Sequence, residues 1–130
     1  VKNRIIGEAK FLRGLYYFIL ARMFSDVPLI TVPQVPGDDL RPFRTEKAKV
    51  YEQIIADLHD AKNLLPGSET YSSADLGRAS KGAAAGLLAK VYLTLEDWEK
   101  VVTLTNEVTA LGYTLNQKYA DNFDVTKKNS

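Results

Sequence analysis

The chain has 130 residues, with 17 Lys and Arg against 16 Asp and Glu, one His and no Cys. This length fits a single domain. A formal net charge of +1 is too small to attract nucleic acid or an anionic membrane surface electrostatically. Without Cys there are no disulfides or thiolate metal sites, and a single His excludes every metal site that needs two imidazoles.

The first predicted element is a long helix over residues 2–24. Apolar residues recur along one face at steps of three and four: Ile5, Ala9, Leu12, Tyr16, Ile19 and Met23. A second apolar stripe includes Phe11 and Phe18. Since Arg13 and Arg22 interrupt it, the helix lacks the about 20 apolar residues that cross a bilayer. We therefore expect a central core helix that is covered on both sides, one of them by something outside this chain.

Residues 25–44 break the helical pattern. Four of the five Pro residues of the chain fall in this stretch: Pro28, Pro33, Pro36 and Pro42. Because Pro inside a helix costs about 3 kcal/mol, the segment is predicted to be a long irregular loop that packs down through its apolar residues. Asp38 and Asp39 lack the ligand spacing of a calcium loop, so we interpret them as solvated acids.

Three more helices are predicted after the loop. The second is capped by Thr45 and runs to about Leu65, and the third is capped by Ser80 and runs to about Leu95. A fourth occupies about residues 98–111 and is followed by a short docked extension.

Helix pairs of this kind indicate helical repeats. The small residues at 82–86 permit close approach of another helix, and Trp98 stands at the turn between the last two helices. The spacing follows the tetratricopeptide rhythm. The sequence therefore predicts an all-α fold of antiparallel helix pairs, with tetratricopeptide-like repeats and a long Pro-rich loop, in a single region over residues 1–130.

Four stretches, in order along the chain, carry a family resemblance. They are 8–18 (EAKFLRGLYYF) with 24–29 (FSDVPL), 50–66, 77–84 (GRASKGAA) with 88–93 (LAKVYL), and 97–100 (DWEK) with 111–115 (LGYTL). Together they resemble the SusD/RagB family of surface glycan-binding lipoproteins of Bacteroidetes. Members of this family are several times longer, so we interpret the chain as a fragment that covers the tetratricopeptide-like region.

The resemblance implies a function and a location. It implies a non-enzymatic nutrient (glycan) binding protein of an outer-membrane uptake system, in which this part serves as scaffold and transporter-docking region. The implied partners are a SusC-like TonB-dependent transporter and an oligosaccharide bound by the full-length parent. The implied location is the cell surface, lipid-anchored to the outer membrane through a parent N-terminus that is absent from this chain.

Candidate sugar-binding residues are aromatic, because the C–H faces of a pyranose stack on rings. Most aromatic residues here, including Tyr16 and Trp98, have the spacing of packing positions. Phe43 and Tyr71 are the only aromatics in open loops, so they are the ligand-binding candidates. In the family, most sugar contacts lie outside the matched stretches.

No catalytic, metal or cofactor site is predicted. His59 has no nucleophile or second His to act with, so we expect an exposed surface residue. Asp57, on the polar face of the second helix, and Asp60, three residues later, point into one environment, whereas glycosidases place two carboxylates on opposite sides of a sugar. Arg78 is expected to form a structural ion pair. The alternative function is a free-standing tetratricopeptide-like scaffold for protein–protein interaction.

Overall fold

The computed structural model describes residues 1–37 and 41–124, and within them the chain forms four α-helices. They are α1 (Lys2–Phe24), α2 (Lys47–Leu64), α3 (Lys81–Thr94) and α4 (Trp98–Ala110). In these ranges the only extended pairing is an isolated antiparallel bridge between Val27 and Thr45. The predicted all-α fold is therefore confirmed. Asp38 and Asp39 lie outside the described residues.

Each helix packs on the next one along the chain. The ion pairs between α1 and α2 join Lys10 to Asp60 and Arg13 to Asp57, so residue numbers rise on one helix as they fall on the other. The two helices are therefore antiparallel. The link of residues 95–97 turns α3 directly back into α4.

Small residues let α1 approach α2 closely. Gly7, Gly14 and Ala21 stand seven residues apart on α1 and are all buried. A Cβ atom on Gly14 would lie 3.0 Å from Cδ2 of Leu58, and one on Gly7 would lie 3.0 Å from Cγ of Leu65. Larger side chains at these positions would push the helices apart.

The core lies among α1, α2 and α3, and α4 adds one buried and two partly buried side chains. Its largest fully buried apolar side chains are Phe18, Ile54, Leu58, Leu88, Val50 and Val91. Phe18 meets Tyr51 edge to face, with ring centroids 6.2 Å apart, and Leu104 of α4 closes one side. This arrangement fixes the ends of α2 and α3, where the candidate cleft lies.

The Pro-rich loop is hydrogen-bonded to α1 near its beginning. The backbone N–H of Ile30 donates to Oη of Tyr17 at 2.7 Å, and Nη1 of Arg13 donates to the carbonyl oxygen of Thr31 at 3.2 Å. Further along, Val32 and Val35 are exposed. The prediction that apolar residues hold the whole loop down is therefore wrong for this later part.

The caps of α2 and α3 have different origins. Thr45 does not cap α2 as predicted, because α2 begins two residues later, at Lys47, and Glu46 occupies the N-cap position. Instead, Oδ1 of Asp26 accepts from the backbone N–H of Lys47 at 2.9 Å. The predicted cap of α3 is confirmed, since Oγ of Ser80 accepts from the N–H of Ala83.

Only one of the two apolar stripes of α1 is covered. The stripe with Phe18 faces α2, whereas on the other stripe Tyr16 is 61% and Met23 is 69% exposed. The prediction that Tyr16 and Trp98 are packing residues is wrong for this chain, since Trp98 is also 60% exposed. Within the described ranges no helix has both the length and the apolar character needed to cross a membrane.

Candidate ligand-binding cleft

A cleft of about 560 Å³ lies between the segment that follows α2 and the end of α4. Two tyrosine rings, a carboxylate and a guanidinium contribute to its walls. Its lining residues are Ser68, Glu69, Tyr71, Leu76, Gly77, Arg78, Leu111 and Tyr113. Aromatic rings beside polar groups suit a sugar, because its C–H faces stack on the rings and its hydroxyls form hydrogen bonds with the polar groups.

Tyr71, one of the two predicted candidates, is held in place by its own hydrogen bond. Its hydroxyl donates to the carbonyl oxygen of Ala79 at 2.7 Å, just before α3. The guanidinium carbon of Arg4 lies 5.7 Å from the ring centroid and covers one face. Burial is the main cause that raises the pKa of the Tyr71 hydroxyl. Tyr71 is thus a brace between the loop and the helices as well as a wall of the cleft.

Arg78 forms the structural ion pair that the sequence predicted. Its Nε and Nη2 each donate to a carboxylate oxygen of Glu8 at 2.8 Å. Asp75 lies 3.6 Å from Arg78 Nη1 and 3.5 Å from Arg4 Nη1. The hydrogen bonds from Arg78 are the main cause that lowers the pKa of Glu8. This cluster ties the floor of the cleft to the first turns of α1.

Tyr113 is the aromatic residue of the cleft that the sequence analysis did not select. Its hydroxyl lies 2.9 Å from Oγ of Ser80, and a Cβ atom on Gly82 would meet its ring at 2.2 Å. The sequence signal that could have identified Tyr113 is the Leu-Gly-Tyr turn after α4. Gly112 has φ 88° there and directs the chain back over α3. The predicted extension docks at this residue, whereas Tyr119 is 79% exposed.

Phe43, the second predicted candidate, does not line this cleft. Its side chain is 92% exposed. The cleft therefore brings Tyr71 together with Tyr113 and leaves out Phe43.

A smaller groove of about 400 Å³ lies between α2 and α4, and four of its charged groups form two ion pairs. Nζ of Lys62 lies 2.7 Å from Oε2 of Glu107, and Lys100 is paired with Asp97. His59, exposed as predicted, has its Nε2 3.4 Å from Oη of Tyr92. Glu99 also lines the groove, but no second carboxylate without an ion pair lies beside it among the lining residues.

The two aspartates considered for glycoside hydrolysis are both ion-paired. Oδ1 and Oδ2 of Asp57 accept from Arg13 at 2.7 and 2.6 Å, and the Asp57 side chain is 1% exposed. Asp60 is paired with Lys10 on the surface. Placing Asp57 on the polar face of its helix was therefore wrong. Across residues 1–37 and 41–124, no group of three or more His, Asp and Glu side chains is arranged to hold a metal ion.

A protein-family model matches most of the chain. Residues 1–93 match a SusD-like family whose description reads "Starch-binding associating with outer membrane". Among relatives, the chain is 38% identical over 99 residues to SusD-like protein P2 of Formosa agariphila. It is 31% identical over 121 residues to SusD-like protein P25 of the same organism. These alignments cover 75% and 92% of this chain but 19% and 23% of the relatives.

Solved structures give the same result. A SusD-like protein from Bacteroides fragilis superposes on 98% of the chain with a TM-score of 0.87 and 33% identity. A laminarin-binding SusD-like protein superposes on 98% of it with a TM-score of 0.85 and 35% identity. The chain spans 26% and 30% of these two proteins. The family match over residues 1–93, supported by these relatives and structures, shows that this chain belongs to the SusD-like family.

Proposed function

We propose that this chain is the helical-repeat part of a non-enzymatic nutrient (glycan) binding protein of a Bacteroidetes outer-membrane uptake system. In the parent protein it serves as scaffold and as docking region for a SusC-like TonB-dependent transporter. The parent binds the oligosaccharide and is anchored by lipid at the cell surface.

One observation carries the proposal. Nearly the whole chain superposes on a laminarin-binding SusD-like protein, yet it accounts for 30% of that protein. A piece that keeps the family fold without most of the family length supplies the frame on which the remainder is built. The ion pairs that link α1 to α2 and to the segment before α3 fit that role, because they fix the relative positions of the helices.

The chemistry of the described residues supports binding rather than catalysis. Asp57 and Asp60, the two carboxylates considered for acid–base catalysis, are ion-paired with Arg13 and Lys10. His59 has no nucleophile beside it and meets only the Tyr92 hydroxyl at 3.4 Å. The Tyr71–Tyr113 cleft offers rings and polar groups, which suit a weak contact with a sugar rather than its cleavage.

The alternative of a free-standing peptide-binding scaffold receives less support. Such a scaffold needs unpaired polar side chains along a groove to grip a peptide backbone. In the groove between α2 and α4, Lys62 and Lys100 are instead paired with Glu107 and Asp97.

Isothermal titration calorimetry against laminarin oligosaccharides and a panel of other glycans tests the scaffold role. We expect no binding by this chain tighter than about 1 mM, which corresponds to about 4 kcal/mol. Phe43→Ala and Tyr71→Ala are the informative variants, and Trp98→Ala is the control for an exposed ring elsewhere. Micromolar binding that disappears in Phe43→Ala or Tyr71→Ala, and persists in Trp98→Ala, would contradict the scaffold role.

Docking is tested separately with a purified SusC-like transporter in detergent. The immobilised chain is expected to retain the transporter, and an excess of free chain is expected to compete. A transporter that passes without retention, while circular dichroism shows that the chain has the helical content of its fold, would contradict the docking role.

A further inference from the structure

One side of α1 is apolar and lies open over almost its whole length. Six of its residues, which we call the outer seam, follow one another at alternating steps of four and three, the spacing of a coiled-coil helix. The outer seam consists of Ile5, Ala9, Leu12, Tyr16, Ile19 and Met23. All six are exposed, and the five large side chains are between 42% and 69% exposed. This spacing favours a second helix as the element that covers the outer seam.

The remainder of the parent protein is long enough to supply that helix. From Ile5 to Met23 the outer seam is about 27 Å long, which corresponds to a covering helix of about five turns. The chain accounts for only 19–30% of the relatives and solved structures compared above, so more than two thirds of each of them lies outside it. A helix of this length is a small part of what the remainder contains.

The composition of the outer seam suits a permanent partner better than a separate protein. None of its six residues is charged. Permanent interfaces resemble a protein core cut in half, whereas transient ones are about as polar as the rest of a protein surface. An apolar stripe left open in the parent would also favour aggregation. A helix of the same polypeptide is therefore a better occupant than a surface of the transporter.

The charges near the outer seam indicate what the covering helix carries. α1 contains five basic residues, and its only acidic residue, Glu8, is paired with Arg78. Three of the basic residues are ion-paired with aspartates of this chain: Arg4, Lys10 and Arg13. The other two, Lys2 and Arg22, lie near opposite ends of the outer seam, are exposed, and have no carboxylate partner among the described residues. Carboxylates near both ends of the covering helix would complement them.

We infer that an amphipathic helix from the remainder of the parent packs along the outer seam, with its apolar face on the seam and carboxylates near Lys2 and Arg22. This inference rests on the proposed function in one respect, that the chain is part of a longer protein. It goes beyond the scaffold role, because it names the surface that receives the remainder and the kind of element received. It also makes the outer seam unavailable to the transporter.

Cysteine labelling tests the inference, and the chain has no native Cys to interfere. Leu12→Cys places a thiol in the middle of the outer seam, and Lys49→Cys, exposed on α2, is the matched control. In the purified parent without other Cys, we expect a maleimide to label Leu12→Cys at least about 30-fold more slowly than Lys49→Cys. In the isolated chain at low micromolar concentration, the two rates should agree within about three-fold, because both positions are exposed.

A charge reversal tests the chemistry of the covering helix. Lys2→Glu combined with Arg22→Glu, added to the Leu12→Cys parent, is expected to raise the labelling rate at least about five-fold, because carboxylates would then face carboxylates. Lys49→Glu, away from the outer seam, is expected to leave the rate unchanged. A rate that stays the same after the double reversal would overturn the acidic character of the covering helix.

Three labelling results would overturn the inference as a whole. The first is a parent in which Leu12→Cys labels as fast as Lys49→Cys, since the outer seam would then be open. The second is protection that arises only when a SusC-like transporter is added, which would make the transporter the occupant. The third is protection in the isolated chain that increases with its concentration, which would indicate a second copy. A parent that binds neither glycan nor transporter can still protect Leu12→Cys, so this inference and the proposed function can fail separately.

Discussion

Removing the Arg13 side chain should destabilise the fold more than any other surface ion-pair change. Arg13 Nε and Nη2 reach both carboxylate oxygens of Asp57 at 2.6 and 2.7 Å. The Asp57 side chain is 1% exposed, and the Arg13 side chain is 30% exposed. In Arg13→Met the carboxylate stays buried and keeps only the hydrogen bond from Gln53, at 3.1 Å.

The expected cost follows from that burial. Breaking a buried ion pair on one side costs about 3–5 kcal/mol, because the remaining charge has no partner. Since water still reaches part of Arg13, we expect the lower end, about 3 kcal/mol. Replacing both partners, as in Arg13→Met with Asp57→Leu, removes the stranded charge. The double variant should lie within about 1 kcal/mol of the native chain.

Urea unfolding followed by circular dichroism at 222 nm gives each free energy of unfolding, and the chain supplies its own control. Lys10 and Asp60 form an ion pair one turn away on the same two helices, but Asp60 is 52% exposed. Lys10→Met should therefore cost less than about 0.5 kcal/mol. A loss of under about 1 kcal/mol in Arg13→Met, or a double variant no more stable than the single one, would refute the reasoning.

Three further predictions concern single positions. In urea titrations, Gly86→Ala should raise the free energy of unfolding by about 0.5–1 kcal/mol, since a Cβ atom there meets nothing within 4 Å. Gly14→Val should lower it by about 2 kcal/mol, because Leu58 occupies the space that the new side chain would need. Tyr51→Phe should leave stability unchanged or raise it by about 1 kcal/mol, because it removes a buried hydroxyl without a partner; a loss above that amount would show that the hydroxyl is bonded. The pKa of Glu8 lies below its ordinary 4.5 in the folded chain. Its ion pair therefore stabilises the fold above that pH, and this stabilisation is lost as the pH falls through the lowered pKa. In an acid titration, the free energy of unfolding of Glu8→Gln should fall less steeply below pH 4.5 than that of the native chain.

Local signals predicted the helices well, because their causes lie within a few residues. The range of α1 agrees with the prediction, and Ser80 caps α3 through the N–H three residues on. Distant contacts were not predictable in this way. The helical periodicity places Asp57 on the polar face, but in the fold it is buried against Arg13, which lies 44 residues earlier in the chain. The cap of α2 likewise comes from Asp26, 21 residues before Lys47.

The candidate cleft was predicted in part. Tyr71 was selected because it lies in a loop, but its bond to Ala79 and the approach of Arg4 depend on how the helices meet. Tyr113 was not selected because its role requires that α4 return beside Gly82. The two stripes of α1 show the same limit, since periodicity identifies an apolar face without saying whether this chain covers it.

A hydrogen bond joins the two ends of the Pro-rich loop: the backbone N–H of Thr45 donates to the carbonyl oxygen of Val27 at 2.9 Å. A second hydrogen bond, from the backbone N–H of Lys47 to Asp26, lies just outside the first. With its ends tied in this way, the enclosed segment can change length without altering how α1 meets α2. Doubling it should cost only about 0.6 kcal/mol of closure entropy. This position is therefore the natural place to insert a tag or a foreign peptide, and the place where related proteins can diverge in length while keeping the same helical frame.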